Sequence, residues 1–214
     1  MKLFICGDST AANYAPTDAP QAGWGQVLPE LLPGVDVQNR ARGGRSTKSY
    51  LADGLLQQIE TELQAGDLLL IQFAHNDGSD LVWRHTDPWT SFYNNLEIFV
   101  DTALLHSVRA VLLTPICCRV WQEGRLMESH GDYPDAVRVL AARRNLPLID
   151  LYAKSTALLR SLGEAESRKL YMNLEPGVSP RHPDGLADNT HTQRAGAAAY
   201  AQIVADALRE FRLI

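Results

Sequence analysis

No apolar run in the chain approaches the roughly 20 residues needed to cross a bilayer as a helix, which argues against a membrane-spanning protein. The stretch before Gly7-Asp8 is shorter than the roughly 7–15-residue core of a signal peptide, so the expected location is the cytoplasm. Basic residues are not in excess: 20 Lys and Arg stand against 25 Asp and Glu, a formal charge of −5, which disfavours nucleic acid and anionic membrane as partners. Cysteine is scarce. Cys6 lies in an apolar segment and reads as a small core residue, while Cys117 and Cys118 are neighbours, a spacing that strains any disulfide between them. Neither a CxxC nor a Cys/His spacing is present, so no metal or cofactor is expected. Internal repeats, low-complexity tracts and linker-like stretches are also missing, and 1–214 is expected to form one domain.

What the chain does have is an alternating rhythm of strands and helices. Strands are expected over Lys2–Gly7, Val35–Asn39, Asp67–Phe73, Ala110–Thr114 and Pro147–Ile149. Trp24, Val27, Leu28, Leu31 and Leu32 share one face of a helix that stops at Pro33-Gly34. Asp87-Pro88 opens a second helix, whose stripe is Trp89, Phe92, Leu96, Phe99, Val100 and Ala103. Further helices are expected over Tyr133–Arg144 and Leu151–Leu162. A last one follows Thr192, with Ala197, Tyr200, Val204, Ala207, Leu208 and Phe211 facing the core. Runs such as Leu68–Ile71 are apolar at every position, the pattern of parallel strands covered on both faces. The expected fold is therefore α/β with a parallel sheet.

In such sheets ligands sit beyond the carboxyl ends of the strands. Ser9 follows the first strand, Asn39–Ser46 the second and Phe73–Asp77 the third, so three polar clusters share one edge. Ser9 is the candidate nucleophile. A serine needs a base, and His191 with Asp188 three residues earlier supplies a histidine with a carboxylate to orient it. Each element has a plainer alternative: a Gly-Asp-Ser turn, a helix-entry cap by Asp188 or Thr190, a Gly43-Gly44 turn, a turn asparagine at Asn76. Together they form the set that acyl transfer requires. The Ser9 and Gly44 amides and the Asn76 side chain are the candidate donors to a tetrahedral oxyanion. His75, Arg45, Trp83 and Arg84 are candidate substrate contacts, as are Arg119 and Trp121 in a later loop. Trp24 reads as core packing.

The order Gly7-Asp8-Ser9, Gly44, Asn76 and Asp188-x-x-His191 resembles the SGNH (GDSL-like) hydrolase superfamily over nearly the whole chain. Gly7–Thr10, Gly23–Gln26, Asn39–Thr47, Tyr133–Ala136, Pro147–Asp150 and Asp188–His191 resemble its rhamnogalacturonan acetylesterase group. The resemblance implies a flavodoxin-like α/β/α sandwich with five parallel strands. It also implies Ser9, His191 and Asp188 as catalytic residues, with Ser9, Gly44 and Asn76 as the oxyanion hole. The reaction implied is removal of acetyl groups from pectic (rhamnogalacturonan-type) or related oligosaccharides. A longer-chain SGNH lipase, lysophospholipase or thioesterase, or a non-catalytic carbohydrate-binding descendant, is the alternative. One departure stands out: the third block of that family reads Gly-x-Asn-Asp, and here position 74 is alanine.

Overall fold

The computed structural model describes residues 1–214. In chain order its elements are β1 (Lys2–Gly7), α1 (Trp24–Leu31), β2 (Asp36–Asn39), α2 (Thr47–Ala52), α3 (Leu55–Glu60) and β3 (Leu68–Gln72). There follow α4 (Tyr93–Leu105), β4 (Arg109–Leu113), β5 (Trp121–Gln122), β6 (Arg125–Leu126), α5 (Tyr133–Arg144) and β7 (Leu148–Ile149). The chain closes with α6 (Leu151–Ser167), β8 (Tyr171–Leu174), β9 (Leu186–Thr192) and α7 (Arg194–Glu210).

Five strands form one parallel sheet in the order β2-β1-β3-β4-β7. Side chains alternate across it because strand residues point to opposite faces in turn. Leu3, Ile5, Leu68 and Leu70 join Trp24, Leu28, Tyr200, Val204 and Leu208 on one side. Phe4, Cys6, Leu69 and Ile71 join Tyr50, Phe99, Val137 and Leu140 on the other. Every residue of β3 is buried, which accounts for its unbroken apolar reading. This is a three-layer α/β/α sandwich. Its strand order reverses at β1/β3, the crevice where open sheets of this order hold ligands. The register sets Gly7 beside Gln72, and Gln72 beside Leu113, so the carboxyl ends of β1, β3 and β4 finish together. No helix is long and apolar enough to cross a membrane.

Several local expectations are corrected. Asp87 does cap its helix, accepting from Trp89 and Thr90 N–H at 3.1 Å each. The first turn, Pro88–Phe92, is nevertheless wound as a π-turn, and α4 begins only at Tyr93. Trp89 thereby leaves the stripe and is 47% exposed, its Nε1–H donating to Asp132 at 2.9 Å. Phe211 lies past the end of α7 and is partly exposed. α6 continues beyond Leu162 through a kink at Gly163 (φ 74°). The short helices α2 and α3 and the hairpins β5–β6 and β8–β9 had no counterpart in the sequence pattern.

Candidate active site

The turn after β1 is built around a buried carboxylate. Gly7 admits a close approach: a Cβ there would stand 3.0 Å from the Gln72 carbonyl oxygen. Asp8, fully buried, accepts from Thr10 N–H at 2.9 Å and Thr10 Oγ1–H at 2.7 Å with one oxygen. Its other oxygen lies 3.0 Å from His75 Nδ1. Burial alone would push the Asp8 carboxyl up, but His75 and the Thr10 donors outweigh it and hold it below the usual carboxylate value. The turn fixed in this way presents Ser9.

The hairpin β8–β9 brings the histidine from the far end of the chain. Asn173 donates to the Asp188 backbone oxygen at 3.0 Å and to Asn189 Oδ1 at 3.1 Å. Thr192 clasps the loop before α1, donating to Ala22 O at 2.6 Å and accepting from Ala22 N–H at 3.0 Å. Asp188 Oδ1 accepts from the backbone N–H groups of Thr190 (2.8 Å) and His191 (3.0 Å), which leaves Oδ2 2.7 Å from His191 Nδ1. His191 Nε2 then lies 3.0 Å from Ser9 Oγ. Asp188 and Thr190 are not a helix entry: they sit within β9, and Gln193 is the residue that precedes α7.

The electrostatics follow from this geometry. The hydrogen bond to Asp188 raises the His191 imidazole above its usual 6.5 against the opposing effect of burial. At Asp188 burial raises the carboxyl, while the His191 side chain and the two backbone donors lower it further, so it stays ionised. With Nδ1–H directed at Asp188, Nε2 carries the lone pair that faces the Ser9 hydroxyl. Such a line can take the proton from Ser9 and stabilise the imidazolium that results.

The candidate donors for an oxyanion lie on the adjoining loops. Gly44 adopts φ 75° in the turn between β2 and α2, and a Cβ on its neighbour Gly43 would be 3.9 Å from Ser9 Cβ. Asn76, after β3, donates through Nδ2 to the Arg45 carbonyl at 3.0 Å and accepts at Oδ1 from Arg84 Nη1 at 2.9 Å. Asp77 ties the same two loops from below, accepting from Thr47 N–H (3.0 Å), Thr47 Oγ1 (2.6 Å) and Thr86 Oγ1 (3.0 Å). Burial pushes its carboxyl up to about 7 despite those bonds. Ala74, where the resembled family has glycine, holds φ 128°, a conformation disfavoured for side-chain-bearing residues. The turn is anchored by its carbonyl, which accepts from Asp77 N–H at 3.1 Å.

The remaining candidates are placed variously. The His75 side chain is 4% exposed and engaged with Asp8, so it faces away from solvent. Arg45 pairs with Asp53. Trp83 is half exposed and carries the Arg84 guanidinium 5.4 Å from its ring centroid. Trp24 is core, its Nε1–H on Gln72 at 3.0 Å. Arg119 is buried, bonded to Ser167, Asn189 and the Glu164 carbonyl, and so braces the Asp188 hairpin rather than facing a ligand. A cleft of about 280 Å³ opens beside Gly43, and its polar lining includes Asn13, Asn39, Arg40 and Arg42. Potential metal-ligand atoms of His75, Cys118 and His130 lie within 4.8 Å of one another. His130 Nε2 is engaged with Ile116 O at 2.9 Å, and burial pushes the Cys118 thiol up to about 11. A metal there would have to displace both a hydrogen bond and a proton.

A serine, a histidine and an aspartate in hydrogen-bonded line, on the carboxyl edge of a parallel sheet in an α/β/α sandwich, have the layout of a serine acyl hydrolase. The chain belongs to the GDSL-like Lipase/Acylhydrolase family, whose model matches residues 5–199. It is 41% identical over 215 residues to a Bacillus subtilis (strain 168) protein named rhamnogalacturonan acetylesterase RhgT, covering 100% of this chain and 91% of that one. It is 33% identical over 213 residues to a probable rhamnogalacturonan acetylesterase, YesY, of the same organism, with 99% and 94% coverage. Among solved structures, protein YxiM from Bacillus subtilis superposes with a TM-score of 0.83 at 27% identity, over 99% of this chain and 56% of that one.

Proposed function

We propose that the chain, acting as one domain over 1–214, is a serine acetylesterase that removes acetyl groups from pectic oligosaccharides of the rhamnogalacturonan type. The observation that carries this reading is the unbroken line from Ser9 Oγ through His191 to Asp188, at 3.0 and 2.7 Å. The substrate class is that in the name of the relative 41% identical over the whole chain.

In this mechanism His191 Nε2 accepts the Ser9 hydroxyl proton as Oγ attacks the acetyl carbonyl. Asp188 holds the imidazole in the required tautomer and stabilises its charge. The Ser9 and Gly44 N–H groups and the second Asn76 amide N–H receive the negative charge that develops on the carbonyl oxygen. His191 then protonates the departing sugar oxygen, which leaves as a hydroxyl. Water, activated by the same histidine, releases acetate from the acetyl-serine and restores the enzyme. The test is acetate release from acetylated rhamnogalacturonan oligomers beside acetylated xylo-oligomers. Preference for the first supports the reading, and equal rates on both would sink the substrate assignment.

A further inference from the structure

An asparagine amide is nearly symmetric in shape, and only one of its two orientations offers a hydrogen to an oxyanion. Were Asn76 flipped, its carbonyl would face the developing negative charge and repel it. Two neighbours of unlike character oppose the flip. The Arg45 carbonyl can only accept, and it receives one Nδ2 hydrogen at 3.0 Å. The Arg84 guanidinium can only donate, and it contacts Oδ1 at 2.9 Å. A flip would set acceptor against acceptor at Arg45 and donor against donor at Arg84. It also matters that Nδ2 has two hydrogens and Arg45 uses one of them, so the other is left for the substrate.

Beyond its guanidinium lying 5.4 Å from the Trp83 ring centroid, Arg84 has no other evident occupation. Its guanidinium forms no ion pair, its Nε is buried without a partner, and Asn76 Oδ1 is the one acceptor it bonds. The loop that carries it is fastened back to the third block, with Thr86 N–H donating to the Asp77 carbonyl at 3.0 Å and Thr86 Oγ1 to the Asp77 side chain at 3.0 Å. Lys48 holds the loop's outer limb through the Val82 carbonyl at 2.7 Å. A cation is thus brought to the outer oxygen of the proposed oxyanion donor, where it both fixes the amide and polarises its N–H bonds.

We propose that Arg84 is a positioning residue that acts through Asn76, locking the amide in its donating orientation, rather than a residue that reads the substrate. The proposal rests on Asn76 as an oxyanion donor. It is tested by a double-mutant cycle of Arg84→Met and Asn76→Ala on p-nitrophenyl acetate, which has no sugar for an arginine to bind. Arg84→Met lowers kcat roughly tenfold, with KM and the midpoint of the pH profile unmoved, and Arg84→Lys recovers part of the loss. In the Asn76→Ala background the same exchange changes kcat by less than about twofold, because its target is gone. Fully additive losses would overturn the proposal. So would a defect confined to KM on acidic oligosaccharides, which would make Arg84 a substrate contact. A loss under about threefold for Asn76→Ala alone would remove the oxyanion role itself. A large loss there with none for Arg84→Met would reject only Arg84. Melting temperatures identify a variant that merely misfolds, and if Arg84→Met does, Arg84→Lys takes its place in the cycle.

Discussion

Replacing Asp188 by asparagine removes one charge and leaves the outline of the side chain intact, so the consequence can be worked from the contacts. Oδ1 accepts two backbone N–H groups, those of Thr190 and His191, and Oδ2 faces His191 Nδ1. An asparagine has a single oxygen for these two duties. Keeping it on the backbone pair turns the amide NH2 toward Nδ1. Turning it toward Nδ1 sets the NH2 against two N–H donors, each costing about 1–3 kcal/mol if left unsatisfied. The backbone pair prevails. His191 Nδ1 must then accept a hydrogen, its proton moves to Nε2, and the lone pair that should receive the Ser9 proton is lost. The expected fall in kcat is on the order of 10⁴, equivalent to about 5.5 kcal/mol of barrier. Loss of the carboxylate also withdraws the contact that raises His191, so the residual activity titrates at a lower pH than in the parent. The assay is kcat/KM on p-nitrophenyl acetate from pH 5 to 9, with circular dichroism to establish folding. A folded variant that loses less than about tenfold, or whose midpoint does not fall, would refute the reasoning.

Asn76→Ala removes one of three proposed oxyanion donors and should lower kcat about 100- to 1,000-fold, read from steady-state kinetics with KM little changed. In the proposed mechanism the base of the unaltered enzyme is neutral His191, whose proton is held more tightly by Asp188, so kcat/KM should rise with pH through an apparent value above 6.5; a profile flat from about pH 5 to 8 counts against it. Asp77 is raised to about 7, so between roughly pH 4 and 7 the folded chain holds a proton that the unfolded chain has released, and its contribution to stability declines as pH rises through that window. Asp77→Asn keeps an acceptor for Thr47 and Thr86 without the charge, and urea midpoints at pH 5 and 7.5 should differ less in the variant than in the parent.

How much of this was legible beforehand depends on where each signal resides. β1, β3 and β4 could be read because burial on both faces forces apolar residues at successive positions, as in Leu68–Ile71. β9 could not: Leu-Ala-Asp-Asn-Thr-His-Thr is largely polar and only partly buried, and it is a strand because Tyr171–Leu174, more than ten residues earlier, pairs with it. The helix α2 is held by reciprocal Ser46 and Ser49 side-chain bonds and by Thr47 on Asp77, contacts that no apolar periodicity records. Ser9, Asp188 and His191 were legible as candidates because activating a hydroxyl needs those residue types, and the structure brings the three into one hydrogen-bonded line. That Asp188 also binds two backbone N–H groups with one oxygen was not legible, since it depends on the local backbone of β9, where its pairing with β8 is irregular. Arg84 looked like a loop cation free to meet a sugar. Its bond to Asn76 exists because the Thr86–Asp77 contacts fold that loop back over the third block, a relation between side chains that residue order does not encode.

The central claim is that Ser9 forms an acetyl-enzyme intermediate. Its most direct test is hydrolysis of p-nitrophenyl acetate, butyrate and octanoate by the purified protein and by Ser9→Ala in parallel. The account predicts turnover strongly selective for acetate and abolished in Ser9→Ala. Preference for octanoate, or turnover that survives the loss of the Ser9 hydroxyl, would contradict it.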